Sequence, residues 1–261
     1  MKKILIFLLV MSVMLSACAC GQGNYTDTIK FDNKGVMLIA HRGLSGMAVE
    51  NTESAFIAAA ERSYYGIEAD VRRTSDGKFV MCHDENLFNL SGRYIKVEES
   101  TLEELLSVNL FAEELGKWEH LTDLQGYIEI CKRYEKQAIL EFKSEFTDDE
   151  ICEIVAIITQ LGYIDRVTFI SFYYDHLLCV RRLLPEQSVQ YLFSEMTEDT
   201  IEMLIRDKID ASVYHKVLTA KVVERFHAAG IKVNCWTIDK VSDAEKFILM
   251  GVDYITTNIL E

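Results

Sequence analysis

The sequence predicts an α/β protein: a (β/α)8 TIM barrel with a short insertion after a hairpin on its second strand. Three observations carry this. Eight short apolar runs recur along the chain. Amphipathic stretches with apolar residues at helical spacing separate most of them. Polar residues gather at the carboxyl ends of several runs. The 261 residues, 49% hydrophobic, suffice for one large core, and a barrel of this length is commonly one domain. An open doubly wound sheet is the alternative, but no G-x-G-x-x-G follows the first run, which weakens its dinucleotide-binding form.

The N-terminus carries a targeting signal. Met1-Lys2-Lys3 is a positive start, and Ile4 to Met14 is an apolar run too short for an ordinary membrane span. Leu15-Ser16-Ala17-Cys18 then has the form of a bacterial lipoprotein signal, small residues before a cysteine that is lipidated. The expectation is a signal peptide over residues 1–17, a lipid anchor on Cys18, a polar tether over 18–33 and a catalytic domain over 34–261. Such a protein is exported and anchored to the membrane of the bacterial cell envelope. A plain secretory leader with a chance cysteine is the alternative. The formal charge of −14, or −16 once Lys2 and Lys3 leave with the leader, argues against nucleic-acid partners, which need clustered Lys and Arg. No protein partner is implied.

The strands are expected at Val36–Ala40, Gly66–Val71, Gln137–Phe142, Val167–Phe172, Ser188–Phe193, Ala211–His215, Lys232–Ile238 and Val252–Thr256. Helices are expected at Thr52–Tyr64, Thr122–Tyr134, Asp148–Leu161, Tyr174–Leu184, Glu198–Asp207, Thr219–Ala229 and Ser242–Met250. Thr197, Thr219 and Ser242 (with Glu245 three residues on) read as helix starts, and Gly162, Gly230 and Gly251 as helix stops. Asp76-Gly77 predicts a turn into a second arm, Phe79–Cys82, returning along the second strand. Residues 86–120 form the insertion, with one helical run at Leu102–Leu110. The chain stops five residues after the last strand, so no full eighth helix is expected there. Spacing of the cysteines beyond Cys18 shows no CxxC metal pair, and buried free thiols are expected.

In such a barrel the catalytic groups sit at the carboxyl ends of the strands. Glu68 and Asp70, two apart, share one face of a strand, and Glu141 follows the apolar run Ala138–Leu140. Three converging carboxylates suit one hard divalent cation, Ca²⁺ or Mg²⁺. The alternative is neutralisation by Arg72 or Lys143. His41 and His83 are the acid/base candidates, because imidazole exchanges protons near neutrality. Arg42 and Lys143 flank the proposed cation and define a well for phosphate. Phe172, Tyr173 and Trp236 are candidates for the wall of a leaving-group pocket. His120, His176, His215 and His227 are read as structural, with His215 the least secure because it ends a strand.

Taken together, His41-Arg42-Gly43, Glu50-Asn51-Thr52, Glu68-x-Asp70-Val71, Thr74-x-Asp76-Gly77, His83-Asp84, Glu141-x-Lys143 and Trp236-Thr237 resemble the glycerophosphodiester phosphodiesterase family. The resemblance runs from about Leu38 to Asn258. It implies a TIM barrel like that of phosphatidylinositol-specific phospholipase C, with an insertion after the second histidine. It implies metal binding by Glu68, Asp70 and Glu141 with Glu50 at or near the ion, acid/base roles for His41 and His83, and phosphate binding by Arg42 and Lys143. The sequence departs from the family at Val49, at Leu90–Arg93 and at His120–Asp123, all toward the outer wall of the pocket. The expected activity is metal-dependent hydrolysis of glycerophosphodiesters to glycerol 3-phosphate and an alcohol. The alternatives are a phospholipase-type or teichoic-acid-cleaving phosphodiesterase on the same barrel, and a non-catalytic lipoprotein that binds glycerophosphodiesters.

Overall fold

The computed structural model describes residues 25–111 and 118–261. β1 (Met37–Ala40) and β2 (Gly66–Arg73) lead to β3 (Phe79–Met81). β4 (Gln137–Phe142), β5 (Val167–Ser171), β6 (Ser188–Phe193), β7 (Asp210–Tyr214), β8 (Val233–Trp236) and β9 (Tyr254–Thr257) follow. All but β3 are parallel and close in the order β1-β2-β4-β5-β6-β7-β8-β9, with β9 pairing back onto β1. Each overlaps the apolar run that predicts it. β3 returns antiparallel along β2, Val71 opposite Met81 and Arg73 opposite Phe79. Gly77 takes φ 71 in the turn between them, as the Asp-Gly signal requires.

The helices are α1 (Glu53–Ala60), α2 (Phe88–Ser91), α3 (Leu102–Leu106), α4 (Leu124–Arg133), α5 (Asp148–Gln160), α6 (Tyr174–Leu183), α7 (Glu198–Asp207), α8 (Ala220–Ala228) and α9 (Val241–Met250). Thr52, Asp123 and Thr197 accept the first free N–H groups of α1, α4 and α7, and Thr147 closes a capping box with Glu150 on α5. Two expected caps are corrected. Thr219 precedes α8 but its side chain makes no cap bond. α9 begins at Val241, with the Lys240 carbonyl accepting from Ala244, so Ser242 lies inside the first turn and forms no capping box with Glu245. Burial of Ala244 and Phe247 sets the phase of that helix. The insertion's helix is also shorter than expected, because Leu110 leaves it to pair antiparallel with Glu119.

The largest core lies between barrel and helices and includes Phe56, Tyr127, Phe142, Phe169 and Phe226. Ile39, Ile139, Ile170, Leu192 and Tyr254 pack inside the barrel. A third cluster, with Leu87, Val97, Leu105 and Leu110, packs the insertion against Val49 and Val80. The packed domain reaches back into the stretch read as a tether. Ile29 pairs with Leu260, Phe31 N–H donates to the Glu261 carbonyl, and the Thr28 hydroxyl donates to Glu261 Oε2 at 2.6 Å. Cys18 lies outside the described residues. Cys82, Cys131, Cys152, Cys179 and Cys235 are free, and all but Cys152 are buried. No described helix is long and apolar enough to cross a membrane.

Candidate active site

The turn after β1 shows why a buried strand ends in His-Arg-Gly. Arg42 has φ 54 and Gly43 φ 77, and a Cβ on Gly43 would lie 2.6 Å from the backbone carbonyl carbon of Ala55 in α1. Only glycine allows that approach. The turn aims the Arg42 N–H at Glu68 Oε2, 2.7 Å away, and the Gly43 N–H at the Glu68 carbonyl. The HRG segment thus caps the β2 carboxylate.

Where β2 and β4 leave the barrel, Asp70 stands opposite Glu141 and Glu68 opposite Ile139. The register therefore brings Glu68, Asp70 and Glu141 together, and one oxygen from each lies within 4.8 Å of the others. All three are buried. Burial, then the charges of Asp70 and Glu141, push the Glu68 carboxyl well above its ordinary range. Burial and the Asp70 charge push Glu141 up to about 7, against the pull of Lys143. Asp70 goes the other way. Although burial opposes ionisation, Arg42, His83 and Lys143 and a hydrogen bond from Asn51 Nδ2 at 2.9 Å hold it low.

This donor set fits a divalent cation. Glu68 Oε1 and Asp70 Oδ1 are buried without a hydrogen-bond partner, which is costly unless a cation is shared between them. Four carboxylates, counting Glu50, face the two cations Arg42 and Lys143. The surplus of two negative charges is what one divalent ion neutralises, through hard oxygen ligands. Glu50 itself is not one of the three converging groups. Arg42 Nη1 donates to both of its oxygens, at 2.9 and 3.0 Å, so Glu50 stands beside the cluster through Arg42.

Arg42 Nε lies 3.5 Å from Asp70 Oδ2, and Lys143 Nζ lies 2.9 Å from Glu141 Oε1 and 3.8 Å from Asp70 Oδ1. Despite burial, these carboxylates hold both side chains charged. Arg72, the other expected neutraliser, instead donates through Nε and Nη2 to the His83 carbonyl and pairs with Glu98. It fixes the loop that carries His83.

The two histidines have unlike partners. His41 Nδ1 meets Asn258 Oδ1 at 2.8 Å, and burial followed by the Arg42 charge pulls its pKa down to about 3, so the ring is neutral. His83 Nδ1 meets Asp84 Oδ1 at 2.8 Å, and Asn89 from the insertion donates to the other Asp84 oxygen. The charge of Asp70 favours a proton on His41, and a charge on His83 opposes it. The four other histidines have partners elsewhere: His120 the Val108 carbonyl, His176 Ser171, His215 the Trp236 carbonyl and His227 Asp253.

Phe172 and Trp236 meet edge to face at 5.8 Å, and Lys143 Nζ lies 5.9 Å from the Phe172 ring. They form an aromatic wall beside Lys143. Tyr173 does not join it and packs on His176, 4.9 Å between centroids. Sequence reasoning assigned no role to Asn51, Asp84, Asp239 or Asn258. Asp84 stands with His83 at the end of the hairpin arm, and Asn258 directly follows β9, so extending the strand-end rule to the last strand finds Asn258.

A profile of the glycerophosphoryl diester phosphodiesterase family matches residues 41–261. The chain belongs to that family. Among its relatives is a glycerophosphodiester phosphodiesterase of Caldanaerobacter subterraneus subsp. tengcongensis, 28% identical over 228 residues, covering 85% of this chain and 93% of the relative. Among solved structures, an Oleispira antarctica phosphodiesterase in complex with the product sn-glycerol-3-phosphate superposes with a TM-score of 0.79 at 28% identity, covering 85% of this chain and 92% of that one. A glycerophosphodiester phosphodiesterase of Thermotoga maritima gives 0.68 at 27% identity, covering 85% and 94%. The family's resemblance, legible in the motifs, thus extends to the whole barrel.

Proposed function

We propose that the protein hydrolyses glycerophosphodiesters to glycerol 3-phosphate and an alcohol, using one divalent cation, Ca²⁺ or Mg²⁺, and two histidines. The observation that carries this reading is three buried carboxylates within 4.8 Å of one another at the barrel mouth, flanked by Arg42, Lys143 and two imidazoles. Family membership and the product complex of the Oleispira relative support the glycerol phosphate class.

Glu68, Asp70 and Glu141 would hold the ion, which when bound supplies positive charge for the phosphoryl oxygens. Arg42 and Lys143 orient the diester and share that charge as it grows. One imidazole takes the proton of the nucleophile, either water or the neighbouring glycerol hydroxyl with water then opening the cyclic phosphate, and the other protonates the leaving alkoxide. Phe172 and Trp236 wall the space beyond Lys143, where the alcohol portion would lie. The lipoprotein signal supports export and anchoring through Cys18. Replacing Cys18 with Ala is then expected to move the protein from the membrane to the soluble fraction.

The test is the purified protein with added Ca²⁺ or Mg²⁺, offered glycerophosphocholine, a glycerophosphate polymer and intact phospholipid, with glycerol 3-phosphate as readout. Release from the small diester is expected. Release only from polymer or lipid would shift the substrate class, and no release from any would overturn the reading.

A further inference from the structure

We infer that Asp239 and Asn258 are positioning residues that hold the proton of His41 on Nδ1 and so present its Nε2 lone pair as the general base. This rests on the reading that His41 moves a proton in the reaction. The assignment leaves His83, backed by Asp84, as the acid.

Asp239 lies in the loop after β8. Its Oδ1 accepts from the Asn258 backbone N–H at 2.7 Å and from the Thr257 hydroxyl at 3.1 Å, and its Oδ2 lies 2.7 Å from the Asn258 side-chain amide. A carboxylate bound by such donors is an acceptor, so the amide must turn its NH₂ toward it. That decides the orientation of Asn258. The Asn258 carbonyl oxygen then faces the other way, where it meets His41 Nδ1 at 2.8 Å and the Ser45 hydroxyl at 2.8 Å. A carbonyl oxygen only accepts, so His41 Nδ1 must carry the hydrogen. In the neutral ring Nε2 is then bare, and it makes no hydrogen bond among the described residues. The backbone around Asn258 is also sterically held. Gly46 N–H donates to the Asn258 backbone carbonyl, and a Cβ on Gly46 would lie 2.6 Å from that backbone oxygen.

His83 is built differently. Its Nδ1 faces the Asp84 carboxylate directly rather than an amide, so Nδ1 carries a hydrogen there with no amide between ring and charge. The two imidazoles are thus split by what stands behind each of them: an amide whose direction is set by the Asp239 carboxylate, against a carboxylate in direct contact.

Asp239→Asn removes the reason for Asn258 to face one way while preserving shape. The proof is spectroscopic. Two-bond proton–nitrogen spectra of ¹⁵N-histidine-labelled protein report each tautomer, and the His41 signals are those missing from His41→Gln. The expected result is the Nδ1–H tautomer in the unaltered protein. In Asp239→Asn, that signature should be lost or mixed, with kcat falling about 10²–10⁴-fold, as a wrong-tautomer imidazole does elsewhere, and KM nearly unchanged. If Asp239→Asn fails to fold, Asn258→Ala gives the same readouts. A structural role alone would lower Tm without moving the tautomer. An Nε2–H tautomer in the unaltered protein, or unchanged tautomer and kcat in the folded variants, overturns the inference. Because the tautomer is read without substrate, a protein that cleaves no diester would overturn the proposed function while this measurement still stands by itself.

Discussion

Glu68 and Asp70 sit two residues apart on one strand yet titrate in opposite directions. Asp70 receives Asn51, Arg42 and Lys143, whereas Glu68 receives only the Arg42 backbone N–H on one oxygen and is otherwise buried beside two like charges. Without a cation, folding favours the protonated forms of Glu68 and Glu141. A carboxyl raised on folding costs nothing below its unfolded value, and its penalty grows as pH rises through the folded value, which for Glu141 is about 7. Metal-stripped protein is therefore expected to lose Tm between pH 5 and pH 8, and Ca²⁺ or Mg²⁺ to restore more at pH 8 than at pH 5. A melting series with and without chelator checks this, and a flat profile would contradict it. Glu68→Gln removes the like charge. We expect it to keep or raise the Tm of metal-free protein while activity falls at least about 10²-fold and calorimetric binding of the divalent ion weakens.

The elements that frame the site differ in how much they tolerate. Gly43 is fixed twice, by its φ of 77 and by the backbone of α1 against it. Gly43→Ala is expected to cost about 1–3 kcal/mol and to reduce activity as well, because the turn it distorts also presents the Arg42 N–H to Glu68. Thr147→Ala is the contrasting case. It opens the capping box of α5, on the outer layer, at a cost of about 1 kcal/mol, and kcat should not change. Thermal melts and rates on the two variants separate a structural cap from one that also serves the site. The insertion adds an element of its own. Its separate apolar cluster holds the segment from which Asn89 reaches Asp84, so the insertion contributes to the backing of His83.

At the scale of the molecule, a seam outside the β1–β9 closure joins the two ends of the packed domain. Residues 28–31 run parallel to residues 259–261, and the Glu261 side chain gathers Thr28 and Ser63, with Arg62 and Lys30 near it. Glu261→Ala is expected to lower stability by about 1–3 kcal/mol and to speed amide exchange of Ile29 and Phe31, leaving turnover intact. Protection unchanged at those amides would show that the seam is held by its backbone pairing alone. The acidic surface and the mixed-charge mouth also divide the molecule. Arg42 and Lys143 are held charged inside the acidic cluster, two positive charges at the mouth of a protein whose formal charge is −14.

The sequence by itself determined the repeating units. Period-two and helical spacing act within windows of a few residues, so the strands, the helices and the stops at Gly162, Gly230 and Gly251, all at positive φ, were legible without a fold. It also placed Glu68 and Asp70 on one face, since alternation along a strand is local. Tertiary structure alone decided the rest. Asp70 meets Glu141 because of the β2–β4 register, and Glu50 pairs with Arg42 rather than joining the three carboxylates. The start of α9 was set by burial of Ala244 and Phe247, which overrode the Ser242 signal. His41 and Asn258 lie 217 residues apart in the chain, and their hydrogen bond exists because barrel closure lays β9 beside β1. Contacts of that kind depend on how strands pair around a closed sheet, which no local window of residues encodes.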